Sequence, residues 1–275
     1  MRDLLGQAQP TVAPLALDPL TAHIAEQAGF KTVYVSGGAL GYSYGVSEAL
    51  LTVTEIADVT RRITTQSSLD VIVDIGVGFG DPVHVARTIQ EMESAGASAV
   101  EIEDQVAPKR VSHHRGIEHL VPPDLMAAKI REAVSARTSE QMLVIARTGA
   151  IKNESYDAAV SRLETYADAG ADVLMCMPED ESQAQQLRRH FSQPLSTITA
   201  MDQASSKKWD GWDLVIDPFT AQVLAVQAIQ QAYLGYAQNG STGADLKALF
   251  ESYHELDLLA GLGPLYDIED RTTEQ

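Results

Sequence analysis

The chain has 275 residues, 45% hydrophobic, with mean hydropathy -0.09 and a formal charge of -18. That balance supplies one substantial core and excludes general affinity for nucleic acid or anionic membranes, both of which demand a basic face. A single cysteine, Cys176, excludes an internal disulfide framework or a cysteine-rich cluster, so any metal is held by oxygen or histidine.

In chain order, "MRDLLGQAQP" lacks the apolar core of a signal peptide, and no run of 18 uncharged apolar residues follows; the expected location is the cytoplasm. The first strand is predicted at 11–16 (TVAPLA) and the second at 32–36 (TVYVS), with a helix ending in "AEQAG" between them. Ser36-Gly37-Gly38 then offers small residues and backbone N–H groups to a carboxylate or phosphate. A third strand at 70–75 (DVIVDI) runs into the glycine-rich "DIGVGFGDP", which is either a phosphate cradle or a flexible βα loop. In "PVHVARTIQEMESAG", Val85, Ile89 and Met92 recur at helical spacing. The fourth strand, 98–103 (SAVEIE), closes on Glu103, Asp104 and Gln105.

Residues 106–122 carry Pro108, Gly116 and Pro122 and are predicted to be irregular, as a lid or as a static loop. Lys109, Arg110, His113, His114 and Arg115 make this segment locally basic, either to handle an anion or as a solvated turn. Strands at 143–148 (LVIART), 172–176 (DVLMC), 194–199 (PLSTIT) and 213–217 (DLVID) complete eight, with "YDAAVSRLETYADAG" as one of the helices between. Two more helices follow within 220–260, beyond what a barrel needs and suited to packing on another subunit, and "DIEDRTTEQ" is expected to fray.

Three helices stop at "AG" just before the next strand, and the alternation repeats eight times, which predicts an α/β fold: a (β/α)₈ TIM barrel spanning 1–275 as one domain, with extra C-terminal helices. No G-x-G-x-x-G follows the first strand, which argues against an open dinucleotide-binding sheet. In a barrel the chemistry sits at the C-terminal strand ends. There Asp74 and Glu103, on neighbouring strands, either share one hard cation such as Mg²⁺ or cap the next helices. Arg147 is either a bidentate anion clamp or half of a structural ion pair.

In this order, "VYVSGG", "VDIGVGFG", "EIEDQVAPKR", "VIARTGA" and "PED" resemble the isocitrate lyase/phosphoenolpyruvate mutase superfamily, and within it the methylisocitrate lyase-like branch, over about residues 10–235. The resemblance implies a Mg²⁺-dependent barrel acting on a small carboxylate through an enolate, and a homotetramer that exchanges its C-terminal helices. It assigns Ser36, Gly37 and Gly38 to the substrate carboxylate with Tyr34 beside them, Asp74 as direct metal ligand, Glu103 as a ligand through water, Arg147 as substrate clamp and Glu179 as support from the sixth strand. Lys109 and Arg110 match the start of the mobile catalytic loop.

The departures matter as much. The loop's K-R-C-G-H reads Lys109, Arg110, Val111, Ser112, His113, and Val111 transfers no proton; His113, His114 or either with Lys109 then replaces the cysteine. Gly76 stands where the third strand has a second acid, Gly149 where an aspartate follows A-R-T, Thr197 where the seventh strand has asparagine, and Ser47-Glu48 where a gating loop has P-D. The leading expectation is a lyase or decarboxylase-type enzyme on a 2-hydroxy or 2-keto di- or tricarboxylate. Phosphorus–carbon chemistry on phosphonopyruvate or phosphoenolpyruvate ranks second, and a barrel that binds ligand without catalysis ranks third.

Overall fold

The computed structural model describes residues 1–112, 115–116 and 118–273. Eight parallel strands run in the order β1-β8-β7-β6-β5-β4-β3-β2. They are β1 (Thr11–Pro14), β2 (Thr32–Val35), β3 (Asp70–Asp74), β4 (Ala99–Glu103), β5 (Leu143–Arg147), β6 (Val173–Met175), β7 (Leu195–Ile198) and β8 (Leu214–Asp217). The seam between β1 and β2 is closed by the bridge Leu15↔Tyr34, where Ala16 N–H donates to the Tyr34 carbonyl at 3.0 Å. A nearly closed (β/α)₈ barrel results, as predicted, each strand falling inside its expected run.

Two apolar layers follow from the strand period of two. Inside the barrel lie Ala13, Tyr34, Ile72, Ala99, Leu143, Ile145, Val173, Met175, Leu214 and Ile216. The alternate residues, such as Val33, Val73, Val100, Val144 and Leu195, pack outward on the helices. These helices are α1 (Pro19–Gln27), α2 (Gly37–Tyr44), α3 (Val53–Thr64), α4 (Pro82–Ser94), α5 (Pro123–Ala136), α6 (Ala150–Asn153), α7 (Tyr156–Asp168) and α8 (Glu181–His190). On α4, Val85, Ile89 and Met92 are all fully buried, as their spacing requires.

The three "AG" phrases are helix stops of one kind. Ala28, Ala95 and Ala169 are the C-caps of α1, α4 and α7, and Gly29, Gly96 and Gly170 follow with φ of 94°, 89° and 99°, which a side chain disfavours. In each, the next N–H reaches back five residues, as from Phe30 to the Ala25 carbonyl at 3.1 Å, satisfying a carbonyl that the helix end would orphan.

Ser36 caps α2, its Oγ accepting from Ala39 N–H at 3.3 Å, so Gly37 and Gly38 form its first turn. One expectation is corrected. The tail does not begin to fray at 267, because beyond α9 (Thr220–Asn239) and α10 (Leu246–Leu259) a third helix, α11 (Gly263–Thr272), continues through most of it. Within 106–122 the described residues form neither helix nor strand, as predicted, but the base is pinned: Val106 N–H donates to His119 O at 2.9 Å and Val121 N–H to Asp104 O at 2.8 Å.

Candidate active site

Strand parity decides which polar residues meet. On β4, Ala99 faces inward, so Glu101 and Glu103 do as well, while Asp104 beyond them turns outward. Asp104 is fully buried against Thr148 Oγ1 (2.6 Å), Tyr166 OH (2.7 Å), Gly149 N–H (3.2 Å) and Arg162 Nη1 (3.4 Å). This outward network ties β4 to α7. Gln105 turns back in, and its Nε2 donates to Glu103 Oε2 at 3.0 Å.

Arg147 is the inward residue at the end of β5, in register with Glu103. Its guanidinium lies between two carboxylates, with Nη1 3.2 Å from Glu101 Oε1 and Nη2 3.7 Å from Glu103 Oε2. Asp74 closes β3 in register with Glu101 and accepts from Gly37 N–H at 3.1 Å and Gly76 N–H at 2.8 Å. Tyr34 OH donates to Glu101. Lys109 descends from the loop and ion-pairs with both Glu48 and Glu103.

Two cavities of about 310 and 370 Å³ adjoin here and share Glu48, Asp74 and Lys109. Tyr34, Ser36, Gly38, Gln105 and Arg147 line the first; the second extends over Gly37 to the apolar Leu51, Ile56, Val77 and Phe79. Among the described residues, the carboxylates Glu48, Asp74, Glu101 and Glu103 thus face the cations Lys109 and Arg147, four negative against two positive.

The consequences show in the acidities. Burial, then the charge of Glu101, pushes Asp74 up to about 7. Burial also acts to raise Glu103, but Lys109 and Arg147 outweigh it and hold its carboxyl below the usual range. Burial works against the charged form of Lys109, yet Glu103, Asp74 and Glu48 raise its pKa overall. Tyr34 is raised well above its ordinary value, first by burial and then by Asp74 and Glu101, so it stays a protonated donor.

A hard divalent cation fits this mouth. It offers more carboxylates than cations, and burial, then the charge of Glu101, leaves Asp74 with a pKa of about 7 that a bound cation would lower. No three His, Cys, Asp or Glu among the described residues are gathered as a ready ligand set. Gly76, where a second acid was expected, contributes only its N–H to Asp74.

The structure thus assembles Tyr34, Ser36, Gly37, Gly38, Asp74, Glu103, Lys109 and Arg147 around one mouth. It does not bring in two others. Thr197 shares the outward parity of Leu195 and is fully buried, Ile198 taking the inward place on β7. Glu179 is exposed, with its N–H on Gln183 Oε1 at 2.9 Å. His113 and His114 lie outside the described residues. Two residues at the mouth went unassigned from sequence, Glu48 and Glu101. The signal for Glu101 was its position two before Glu103 on one strand face; for Glu48 it was the Ser47-Glu48 substitution itself.

The strand ends of this parallel barrel gather carboxylates around an arginine and a lysine. Residues 1–231 match the model of the phosphoenolpyruvate phosphomutase family, and the chain belongs to that family, within the superfamily that its motifs resemble. It is 33% identical to a 2-methylisocitrate lyase of Aeropyrum pernix over 100% of this chain and 89% of that protein. It is 30% identical to 2,3-dimethylmalate lyase of Eubacterium barkeri, covering 98% and 96%. Among solved structures, a phosphonopyruvate hydrolase complex with oxalate and Mg²⁺ superposes with a TM-score of 0.85 at 28% identity, covering 98% of this chain and 97% of that one.

Proposed function

We propose that the protein is a Mg²⁺-dependent carbon–carbon lyase or decarboxylase acting on a small 2-hydroxy or 2-keto di- or tricarboxylate through an enolate. The observation that carries this reading is the placement of Arg147 in the wall of one cavity with Asp74 and the α2 N-terminus, among carboxylates that outnumber the cations. The lyase relatives support it.

Asp74, with Glu103 beside it, would hold Mg²⁺, which would supply Lewis acidity toward the substrate's α-oxygen. The chain does the rest. Gly38, with Ser36 beside it on the wall at the positive end of α2, receives a substrate carboxylate, while the Gly37 N–H holds Asp74 and the Ala39 N–H holds Ser36 Oγ. Arg147 presents a planar fork to the oxygen on which negative charge develops as the C–C bond breaks. In oxaloacetate cleavage the bonding electrons stay on the organic fragment as CO₂ leaves, and a proton added to carbon gives pyruvate. Val111, 62% exposed on the loop, delivers none; Lys109 and the loop histidines His113 and His114 are the candidate donors.

Incubation with oxaloacetate and with 2,3-disubstituted malates plus Mg²⁺ is expected to yield keto acid, and chelation to abolish it. Arg147→Lys keeps the charge but loses the fork and is expected to lower kcat/KM by about 100-fold. No product from either acid class would defeat the reading. Phosphate appearing by phosphorus NMR on incubation with phosphonopyruvate would instead favour phosphorus–carbon chemistry, for which the phosphonopyruvate hydrolase structure is the supporting likeness. Absence of Mg²⁺ binding at millimolar concentration would favour a non-catalytic barrel. We place the protein in the cytoplasm as a homotetramer that exchanges helices within 220–260.

A further inference from the structure

Glu101 has no part in the mechanism above, yet it is the carboxylate placed deepest in the barrel. It is fully buried on β4, one residue pair below the mouth, in the layer of Tyr34, Ile72, Ile145, Met175 and Ile216. Both its oxygens are engaged: Oε1 by Arg147 Nη1 at 3.2 Å and Oε2 by Tyr34 OH. A charge in an apolar layer is costly, and a hydrophobic side chain of similar volume would fill the space more cheaply. What a carboxylate does there that an apolar residue cannot is hold these two groups.

We infer that Glu101 is a positioning residue that sets both the aim and the strength of the anion clamp. It draws Nη1 of Arg147 down toward the barrel axis, leaving the rest of the guanidinium edge toward Glu103 and the mouth. Its negative charge offsets part of the Arg147 charge that an incoming carboxylate meets, so the ground-state anion is held less tightly than a bare arginine would hold it. It also engages the Tyr34 proton, so the phenol presents its oxygen to the cavity and not its O–H. Binding restrained in the ground state and a guanidinium already aimed both favour turnover over affinity.

This role rests on the carboxylate-binding reading of the mouth. The test uses the full chain with Mg²⁺ and oxalate as probe, measuring binding by calorimetry and turnover on oxaloacetate. Glu101→Gln keeps the volume and one acceptor but removes the charge. It is expected to bind oxalate about tenfold more tightly while kcat falls about tenfold or more, a split that simple damage to the fold does not produce. Glu101→Asp restores the charge one methylene short and is expected to return oxalate affinity toward the parent value. Unchanged affinity and kcat in Glu101→Gln would overturn the assignment, as would joint loss of affinity and melting temperature, or absence of oxalate binding in both forms. If oxalate tightens in Glu101→Gln while the parent turns over none of the acids, the proposed reaction fails and the role of Glu101 stands.

Discussion

Asp74 and Cys176 are both buried acids at strand ends, and their surroundings give them opposite uses. Burial, with Glu101 next, pushes Asp74 up to about 7. Its folded pKa lies above the ordinary carboxylate value near 3.9, so its contribution to stability is full below about pH 4 and is lost as pH rises through 7 in the metal-free protein. A cation reverses that sign by favouring the ionised form. Apparent Mg²⁺ affinity is therefore expected to fall about tenfold per pH unit below 7 and to level off above it, as read by calorimetry at pH 5.5 to 8.5. A flat profile would show that Asp74 does not compete with protons for the metal. Cys176 has no such partner: it is fully buried, and burial alone pushes its thiol up to about 12. Its thiolate is suppressed at pH 8, so a disulfide reagent is expected to leave the native protein unmodified and to titrate one thiol after guanidinium unfolding. Rapid native labelling would contradict the closed packing behind β6.

At the scale of elements, the mouth depends on a loop folding back onto α2. The turn after α2 brings Glu48 to Lys109 because Gly41 leaves room: a Cβ there would lie 2.8 Å from Glu48 N and 2.9 Å from Val46 O. Alanine in a helix is worth about 1 kcal/mol over glycine, but here it collides with backbone that has no rotamer to yield. Gly41→Ala is expected to lower the melting temperature and weaken Mg²⁺ binding together by moving Glu48; a variant of higher stability and unchanged affinity would refute this coupling. The same contact explains the limits of what was legible beforehand. Strand and helix alternation and the three "AG" stops are local signals, and they placed the barrel and the strand-end residues Asp74, Glu103 and Arg147. Glu48 reaches the mouth by loop closure, which no period records. Thr197 and Ile198 differ by one residue in parity, and only the inner layer, with Ile216 and Met175 in it, shows which of them faces in. Glu101 lay one step below the strand ends where polar residues were sought.

At the scale of the whole molecule, the barrel accounts for its own apolar surface and the C-terminal helices do not account for theirs. Helices α9, α10 and α11 contain no buried residue, and Leu224, Tyr233, Leu234, Phe250, Tyr253 and Leu258 are among those exposed, Tyr233 at 73%. An apolar array of this extent on a chain of charge -18 is otherwise an aggregation hazard. A second copy of the same segment would cover it with matching chemistry, as the proposed exchange of helices within a homotetramer requires. The segment is also joined to the mouth. Gln222 Nε2 donates to Ala39 O at 2.8 Å and Ser43 Oγ at 2.9 Å on α2, and Phe219 and Gln222 line the cavity that holds Arg147. Assembly and substrate handling are therefore expected to fail together when α9 loses its partner. Leu224→Glu combined with Leu234→Glu places charge on the face of α9 turned away from Gln222, and light scattering is expected to show dissociation from tetramer, with KM rising more than kcat falls because the wall at Phe219 and Gln222 loses its support. Dissociation with unchanged KM would separate assembly from the site, and a parent protein that scatters as a monomer would remove the partner altogether.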